Sequence, residues 1–328
     1  MKNQLVRRGA VGIAAGALTL TGLASLAAPA HATIQDGEVT AEVDLDNWGT
    51  DCQVTAWDGP SALAVLDNGV PVSQTWSATA TGTHANPADV TTLSASSRVT
   101  ASMTPIGAGP STIKVDVTAA ASTAPALADS ACSGTAEATP RMQAEFDLPA
   151  PMWVTITGNG DGNGAAQAAI GDFDGTAAAL VLGTRGAGST SILLPAGPAA
   201  VQVQGQARAE ADDAVKSRSY GASFTFELQP LGAASGISGS SKGTVVLGAR
   251  DCASGGIAVD LTKKAKKKAK QVRVSVNGAK VAKLKGKKLK PRTLVVPAAR
   301  GAAAEVTVQV KLKNGKKATI KRSYQACS

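Results

Sequence analysis

Aromatic and histidine side chains are scarce in this chain of 328 residues. Phe, Trp and Tyr together make up 3% of the sequence, and the two histidines are His31 and His84. A core with few large rings must be built from Val, Leu, Ile and Ala, which gives many small contacts rather than a few extensive ones. The scarcity of histidine also removes the side chain most often used as a general acid or base.

Motifs of familiar enzyme classes are also missing. The sequence contains no Walker loop, no dinucleotide-binding fingerprint and no HExxH zinc motif. His84 stands shortly before Asn86-Pro87, which favours a loop position over a catalytic or ligand role. We therefore predict no catalytic residues, no cofactor and a protein that is not an enzyme. The alternative is a carbohydrate-active or other secreted hydrolase with a carboxylate-based site in the acidic N-terminal region.

Long apolar runs are confined to the N-terminus. Residues 1–32 combine a positive start (Lys2, Arg7 and Arg8), an apolar stretch and the motif Ala30-His31-Ala32, a pattern typical of a cleaved secretory signal. Elsewhere no run approaches the roughly 18 apolar residues of a spanning helix. We expect export by the Sec or the twin-arginine route, no transmembrane anchor after cleavage, and an extracellular or envelope-associated location.

Cysteines are few, but their number is even. An even count in an exported chain predicts disulfides, and four cysteines allow three pairings. The composition changes between the second and third cysteine, which favours Cys52 with Cys132 and Cys252 with Cys327. Metal binding is the rival interpretation, but there is no Cys-x-x-Cys motif and no nearby histidine.

Alternation of apolar and polar residues with period two dominates the remaining chain. Ile113, Val115 and Val117, for example, alternate with polar residues, as expected for strands with one buried face. The predicted fold class is all-β, with two or three antiparallel β-sandwich domains of Ig-like or jelly-roll-like type after the signal peptide. No amphipathic helix is predicted. Turn residues are expected at 67–69, 158–164 and 174–175.

Composition suggests how the chain divides. We predict β-sandwich domains at 33–140 and 141–231, the second jelly-roll-like, a flexible Gly/Ser linker at 232–243, and a basic Ig-like domain at 244–328. A single sandwich over 33–231 is the alternative. The four tryptophans are expected in the core or capping it, with stacking on sugar rings as the alternative; they are Trp48, Trp57, Trp76 and Trp153.

Positive charge is concentrated near the C-terminus. Residues 263–322 contain 21 Lys and Arg and one acid, Glu305, for a net charge of +20; the whole chain is +9, so the remainder carries −11. Such asymmetry bears on partners rather than on fold. A solvated face without a ligand is the simpler interpretation, and binding of a polyanion is the functional one.

The type of base narrows the expected partner. Of these 21 bases 17 are Lys, which act as point charges and suit diffuse contact. No aromatic residue lies between Lys263 and Arg322, so a stacking surface for single-stranded nucleic acid is missing. An anionic cell-wall polymer or polysaccharide is the predicted partner, and nucleic acid is disfavoured. The predicted polyanion-binding residues are Lys263, Lys264, Lys266, Lys267, Lys268, Lys270, Lys283, Lys285, Lys287, Lys288 and Lys290.

Two short acidic clusters are weak candidates for calcium. Asp161 and Asn163 form one, and Asp172 and Asp174 the other. Oxygen ligands suit calcium, but neither cluster completes an EF-hand loop, and hairpin turns use the same residues.

Two Asn-Gly pairs in the basic region predict tight hairpins. Asn277-Gly278 follows an alternating run of valines, and Asn314-Gly315 follows a second one. With the flanking cysteines these hairpins indicate a small sandwich.

This basic region resembles the C-terminal Ig-like modules of secreted actinobacterial proteins. The shared elements are Cys252, the run from Val272 to Gly278, the basic return strand from Val281 to Leu289, and the closing Tyr324-Gln325-Ala326-Cys327. Such modules are accessories, so the resemblance implies fold class and location and supplies no catalytic residues. Further upstream, residues 193–198 resemble a turn of pre-peptidase-type and jelly-roll accessory domains.

Overall fold

The computed structural model describes residues 34–48, 52–54, 60–107, 109–211, 214–240 and 243–328. This part of the chain is almost entirely antiparallel β structure, which confirms the predicted fold class. The predicted signal peptide lies outside the described residues. Within them, no helix is long and apolar enough to cross a membrane.

Residues 34–230 form the first of two sandwiches, which we call the N-terminal sandwich. Its strands are β1 (Ile34–Trp48), β2 (Gln53–Val54), β3 (Leu63–Ala64), β4 (Val72–Thr83), β5 (Val90–Met103), β6 (Ser111–Pro125), β7 (Ser133–Leu148), β8 (Met152–Gly162), β9 (Ala165–Asp172), β10 (Ala177–Leu182), β11 (Arg185–Leu194), β12 (Gly197–Ala211) and β13 (Lys216–Pro230).

These strands pair into two sheets that pack face to face. One sheet has the order β10-β9-β12-β7-β1-β3 and the other β11-β8-β13-β6-β5-β4-β2. The alternation seen in the sequence is realised on β6, where Ile113, Val115 and Val117 are buried between the sheets. One half of the core holds the aromatic residues, whereas the half near the start of β7 is built largely from alanine.

The predicted domain boundary at 140 is wrong. Pro140 lies inside β7, where it is opposite Ala41 of β1, and each sheet contains strands from both sides of that position. The buried cluster likewise joins residues such as Val115 and Phe224. Residues 34–230 are therefore one sandwich, the alternative that the sequence left open.

Most of the glycine-rich stretch at 158–164 is strand rather than the predicted turn. Gly158 and Gly160 belong to β8 and lie beneath two aromatic rings of β13. A Cβ at Gly158 would approach Phe224 to 2.7 Å, and one at Gly160 would clash with the Tyr220 hydroxyl. These glycines make room for rings, so they do not mark a change of chain direction.

Residues 232–328 form the C-terminal sandwich. Its elements are β14 (Ser238–Gly239), β15 (Val245–Arg250), β16 (Ile257–Leu261), α1 (Lys263–Lys268), β17 (Ala269–Val276), β18 (Ala279–Lys285), a 3-10 helix (Gly286–Leu289), β19 (Arg292–Val296), β20 (Ala304–Leu312) and β21 (Lys317–Tyr324). A sheet with the order β14-β21-β20-β17-β18 packs on a smaller sheet with the order β15-β16-β19.

The predicted flexible linker at 232–243 is also wrong where the structure describes it. Ser235 donates its backbone N–H to Ser323, and β14 pairs with β21 at Ser238 and Gly239. Ser238 and Gly239 therefore form a short edge strand of the C-terminal sandwich. Gly232 donates its N–H to Ala326, so the C-terminal sandwich begins within two residues of the end of β13 at Pro230.

Both predicted disulfides are confirmed. Cys52 pairs with Cys132 and Cys252 with Cys327, so all four cysteines are bonded within their own sandwich. The hairpin at Asn277-Gly278 is the expected two-residue loop, since Asn277 and Gly278 both have positive φ and Val276 is opposite Ala279. The second hairpin has a longer loop, because Leu312 bonds to Lys316 across Lys313, Asn314 and Gly315.

Candidate polyanion-binding surface

The outer surface of the five-stranded sheet is strongly basic. We call it the basic face and define it by the outward bases of β17, β18, β20 and β21, which are Arg273, Lys280, Lys283, Lys285, Lys311, Lys317 and Lys321. The six lysines are exposed and Arg273 is half-buried.

Strand alternation explains how a chain rich in valine presents this charge. Val272, Val274 and Val276 of β17 point into the core, which turns the residues between them outward. Register then lines the bases up across the strands. Arg273 is opposite Lys283, and Lys311 is opposite Lys317.

Few acids balance this face. Glu305 forms an ion pair of 3.4 Å with Lys321 near one end of the sheet. The pKa of Lys283 lies below its ordinary value because Lys285 and Lys280 repel its charged form, with smaller effects from desolvation and from Arg273. Mutual repulsion of this kind is relieved when an anion binds.

The lysine run at 263–268 folds as the short helix α1, which the sequence did not predict. The Thr262 hydroxyl caps it by accepting from the Lys264 N–H at 3.1 Å, and Ala265 is buried. Three lysines in its last turn are favourable to the helix dipole. All five lysines of α1 are exposed.

The structure brings some of the predicted lysines together and separates others. Lys283 and Lys285 belong to the basic face, whereas Lys287, Lys288 and Lys290 lie exposed on or just after the 3-10 helix. The list drawn from sequence omitted Arg273, Lys280, Lys311, Lys317 and Lys321. For four of these bases the alternation with buried valine, isoleucine or alanine was the available signal, whereas Lys280 lies between the exposed Ala279 and Val281. Only the strand register shows that these residues share one face.

A groove lies at one end of the basic face, and we call it the basic groove. Its volume is about 800 Å³, and its lining includes Gln271, Gly286, Ala269 and Leu289. Five lysines also line it, namely Lys266, Lys270, Lys285, Lys311 and Lys313. Predicted lysines of α1, β17 and β18 thus lie beside Lys311 and Lys313, two bases that the sequence did not predict.

Some bases of the C-terminal sandwich are structural. Arg322 donates to the carbonyl oxygens of Ser235 at 2.8 Å and Leu247 at 2.5 Å, and its guanidinium lies 5.6 Å from the centre of the Tyr324 ring. Arg250 is buried and donates to the carbonyl oxygens of Ala299, Ala302 and Gln325. Desolvation lowers its pKa. These side chains hold segments together and are not offered to a ligand.

The four weak calcium candidates do not converge. Asp161 forms an ion pair of 3.1 Å with Arg185 at the end of β8, whereas Asp172 stands at the far end of the following strand, β9. Asp172 accepts from the backbone N–H groups of Asp174 and Thr176, and these bonds outweigh desolvation and lower its pKa. Among the described residues, no three His, Cys, Asp or Glu side chains form a group that could hold a metal.

Carboxylates of the N-terminal sandwich gather on an open face rather than in a cleft. On the outer surface of the six-stranded sheet, Asp44 is directly opposite Glu137. Glu137 accepts from Gln206 at 2.8 Å and pairs with Arg208 at 3.3 Å. This is where a carboxylate pair of the alternative hydrolase would have to be sought.

The two tryptophans whose side chains the structure describes are half-buried. Trp76 on β4 and Trp153 on β8 both have an indole nitrogen that is buried and without a hydrogen-bond partner. Neither ring belongs to a buried cluster of the core, and Trp153 lies on the outer side of its sheet because its neighbours Met152 and Val154 point inward. The Trp48 side chain and Trp57 lie outside the described residues, and His84 lies in the loop after β4, as expected.

The fold and this surface define a two-sandwich, all-β protein with one basic module. No protein-family model matches the chain, and neither does any curated protein. Among solved structures, the crystal structure of the adhesin domain of Epf from Streptococcus pyogenes is similar over 91% of this chain and 97% of that chain, at 9% identity and a TM-score of 0.21. A likeness at this level carries no argument about function.

Proposed function

We propose that this is a secreted, non-catalytic protein of the cell envelope whose C-terminal sandwich binds an anionic cell-wall polymer or polysaccharide. One observation carries the proposal, namely the seven bases of the basic face with a single acid, Glu305, at its end. Charge of one sign on one surface attracts and orients anionic partners.

The geometry of the basic face suits a long, repetitive ligand. Alternate residues along a strand are about 6.6–6.8 Å apart, and neighbouring strands are about 4.8 Å apart, so the bases repeat at short spacings across the sheet. Lysine ammonium groups move freely on long stems and contact anionic groups without demanding one orientation. No aromatic ring is exposed on this face, since Tyr324 is buried, and this favours charged backbones over stacked bases.

The disulfides support a location outside the cytoplasm. Disulfides persist in oxidising compartments, and this chain closes two of them. Together with the predicted signal at residues 1–32, they are consistent with export to the medium or the envelope.

The proposal is tested by binding of residues 33–328 to isolated anionic cell wall and to immobilised polyphosphate, at 0.1 M and 1 M salt. Because the Debye length falls from about 10 Å to about 3 Å between these conditions, retention should be lost at the higher salt. Substituting Lys283, Lys285 and Lys317 together by Gln should weaken binding at 0.1 M salt by about tenfold or more, taking up to 1 kcal/mol for each exposed pair.

A matched control removes three exposed bases from the N-terminal sandwich. Arg98, Lys114 and Arg218 are exposed bases of the seven-stranded sheet, and changing them to Gln alters the net charge equally. This control should bind like the unmodified chain. Equal losses in the two triple variants, or retention that ignores salt, would reject the basic face as the binding surface.

A further inference from the structure

The basic groove differs from the rest of the basic face because it is concave. We infer that it is a discrete site for a densely charged oxyanion, a phosphate-type group that carries two or more negative charges on a small body. This inference rests on the proposed function and gives the polymer a chemical class, since phosphate rather than carboxylate would supply its charge.

Three separate parts of the chain converge on the groove. Lys266 and Lys270 come from α1 and the start of β17, and Lys285 comes from the end of β18. Lys311 comes from the end of β20, and Lys313 from the turn that follows it. A backbone hydrogen bond of 2.9 Å from Lys313 to Lys268 ties the end of β20 to α1. The lysines are thus brought together by tertiary structure and are not merely neighbours in a charged run.

An irregularity in β17 directs an extra base into the groove. Ala269 pairs with Leu312, but Gln271 pairs with Lys311, so Lys270 is an additional residue in the strand. Such a bulge turns two successive side chains to the same side of a sheet. Lys270 and Gln271 consequently both line the groove, although strict alternation would turn one of them inward.

Uncharged residues also line the groove. Ala269 and Leu289 are buried at its base. Gly286 has a φ of 53°, which a residue with a Cβ seldom adopts, and it allows the chain to turn from β18 into the 3-10 helix beside the groove. Gln271 adds a neutral donor, so a bound group would meet hydrogen bonds as well as charge.

The density of charge selects the ligand class. Five lysines line one concavity of about 800 Å³, and no carboxylate lines it with them. A single carboxylate would neutralise one of these five charges. A phosphate ester or an oligophosphate places several oxygens and at least two charges within reach of the same lysines, and this is the better match.

The test is calorimetric titration of residues 33–328 with inorganic tripolyphosphate, at constant ionic strength, beside a titration with a long polyphosphate. The unmodified chain should show saturable binding of tripolyphosphate at one site. Changing Lys270, Lys285 and Lys311 to Gln should weaken this binding about tenfold, because three of the five cationic contacts to the ligand are removed.

The matched control again changes Arg98, Lys114 and Arg218 to Gln. These exposed bases alter the net charge by the same amount, but they belong to the N-terminal sandwich and do not line the groove. The control should bind tripolyphosphate within about twofold of the unmodified chain. Equal losses in the two triple variants, or no loss in either, would overturn the groove while leaving polymer binding by the basic face intact. Failure of the unmodified chain to bind either phosphate compound or cell wall would instead reject the proposed function.

Two further measurements guard against misfolding of the groove variant. Without ligand, its melting temperature should equal or exceed that of the unmodified chain, because removing lysines relieves repulsion. The single variant Lys270→Glu, which puts an acid at the bulge, should also lose tripolyphosphate binding. Retained binding in Lys270→Glu would count against the site.

Discussion

The outer faces of the two sandwiches show the same strand chemistry with opposite charge. On the N-terminal sandwich, Glu42 and Glu137 lie beside bases, with Arg141 at 3.8 Å and Arg208 at 3.3 Å respectively. On the C-terminal sandwich the basic face has one ion pair, between Lys321 and Glu305. The first face nevertheless keeps an excess of negative charge, because the carboxylates of β1 and β7 outnumber Arg141 and Arg208. The second face keeps an excess of positive charge, which is available to an anionic partner.

The largest expected difference between the sandwiches comes from their disulfides. The bonded cysteines are 80 residues apart in the N-terminal sandwich and 75 in the C-terminal one, so the chain-entropy model gives each bond about 4–5 kcal/mol. That is a large share of the roughly 5–15 kcal/mol by which a domain is stable. The smaller C-terminal sandwich has less core to replace it.

Calorimetry of two double variants checks this expectation. Changing Cys252 and Cys327 to Ala should abolish the cooperative transition of the C-terminal sandwich. Changing Cys52 and Cys132 to Ala should preserve the cooperative transition of the N-terminal sandwich but lower its midpoint by about 10–20 °C. The unmodified chain should show no reactive thiol when denatured without reductant. Equal responses of the two sandwiches would mean that core size does not set their dependence on disulfides.

A smaller effect separates structural from surface bases within the C-terminal sandwich. Arg322→Gln should lower the free energy of unfolding by about 1–3 kcal/mol, because the carbonyls of Ser235 and Leu247 lose a charged donor. The neighbouring Lys321→Gln is the control and should change stability by at most about 0.5 kcal/mol. Urea denaturation measures both. A similar cost for both variants would show that Arg322 does not link β14 and β15 to β21.

The smallest expected effect is a difference in pH response. Asp89 of the N-terminal sandwich has a pKa below 3.8, lowered by hydrogen bonds from Ser130 and Ala131 against desolvation. A lowered carboxyl pKa stabilises the fold above the unfolded value, and the contribution is lost as pH falls through the folded value. Asp251 of the C-terminal sandwich acts in the same direction, so acid alone does not separate the two.

At alkaline pH the two sandwiches should differ in how their stability responds. The pKa of Lys283 is lowered from 10.5, so the folded C-terminal sandwich releases this proton first and becomes slightly more stable as pH rises from the folded value towards 10.5. Melting curves at pH 3, 7 and 10 should therefore show an alkaline contribution from Lys283 in that sandwich, which is set against the opposite effect of Tyr324, whose pKa is raised by burial. The Lys283 contribution should disappear in Lys283→Gln, and the acid loss of the N-terminal sandwich should shrink in Asp89→Asn. An unchanged alkaline response in Lys283→Gln would contradict the assignment.

The sequence predicted local features better than their assembly. Alternation around Val115, the Asn277-Gly278 hairpin and the cysteine pairing depend on patterns that neighbouring residues or a composition change can reveal. The glycines of β8 were misread, because their purpose is set by Phe224 and Tyr220, some 60 residues away along the chain. Composition also failed at 232–243, since polar residues suit an edge strand as well as a linker.

The candidate site was predicted in part for a related reason. A run such as Lys263 to Lys270 is conspicuous in one dimension, so it was selected. Lys311 and Lys313 stand apart from it, and they join Lys270 only through the pairing of β17 with β20 and the bulge between Ala269 and Gln271. Register and bulges decide which charges meet, and neither can be read from the spacing of lysines.

The chain enters and leaves the N-terminal sandwich at the same end. Ile34 is opposite Phe146 near the end of β7, and Pro230 is opposite Met152 at the start of β8. The C-terminal sandwich follows directly from there, whereas Cys132 and the loop containing Asp89 lie at the other end. With 16 residues in β7, that other end lies about 50 Å away. A C-terminal sandwich held on the wall would thus make the larger sandwich a spacer that displays the loops around Cys132 well above the attachment point.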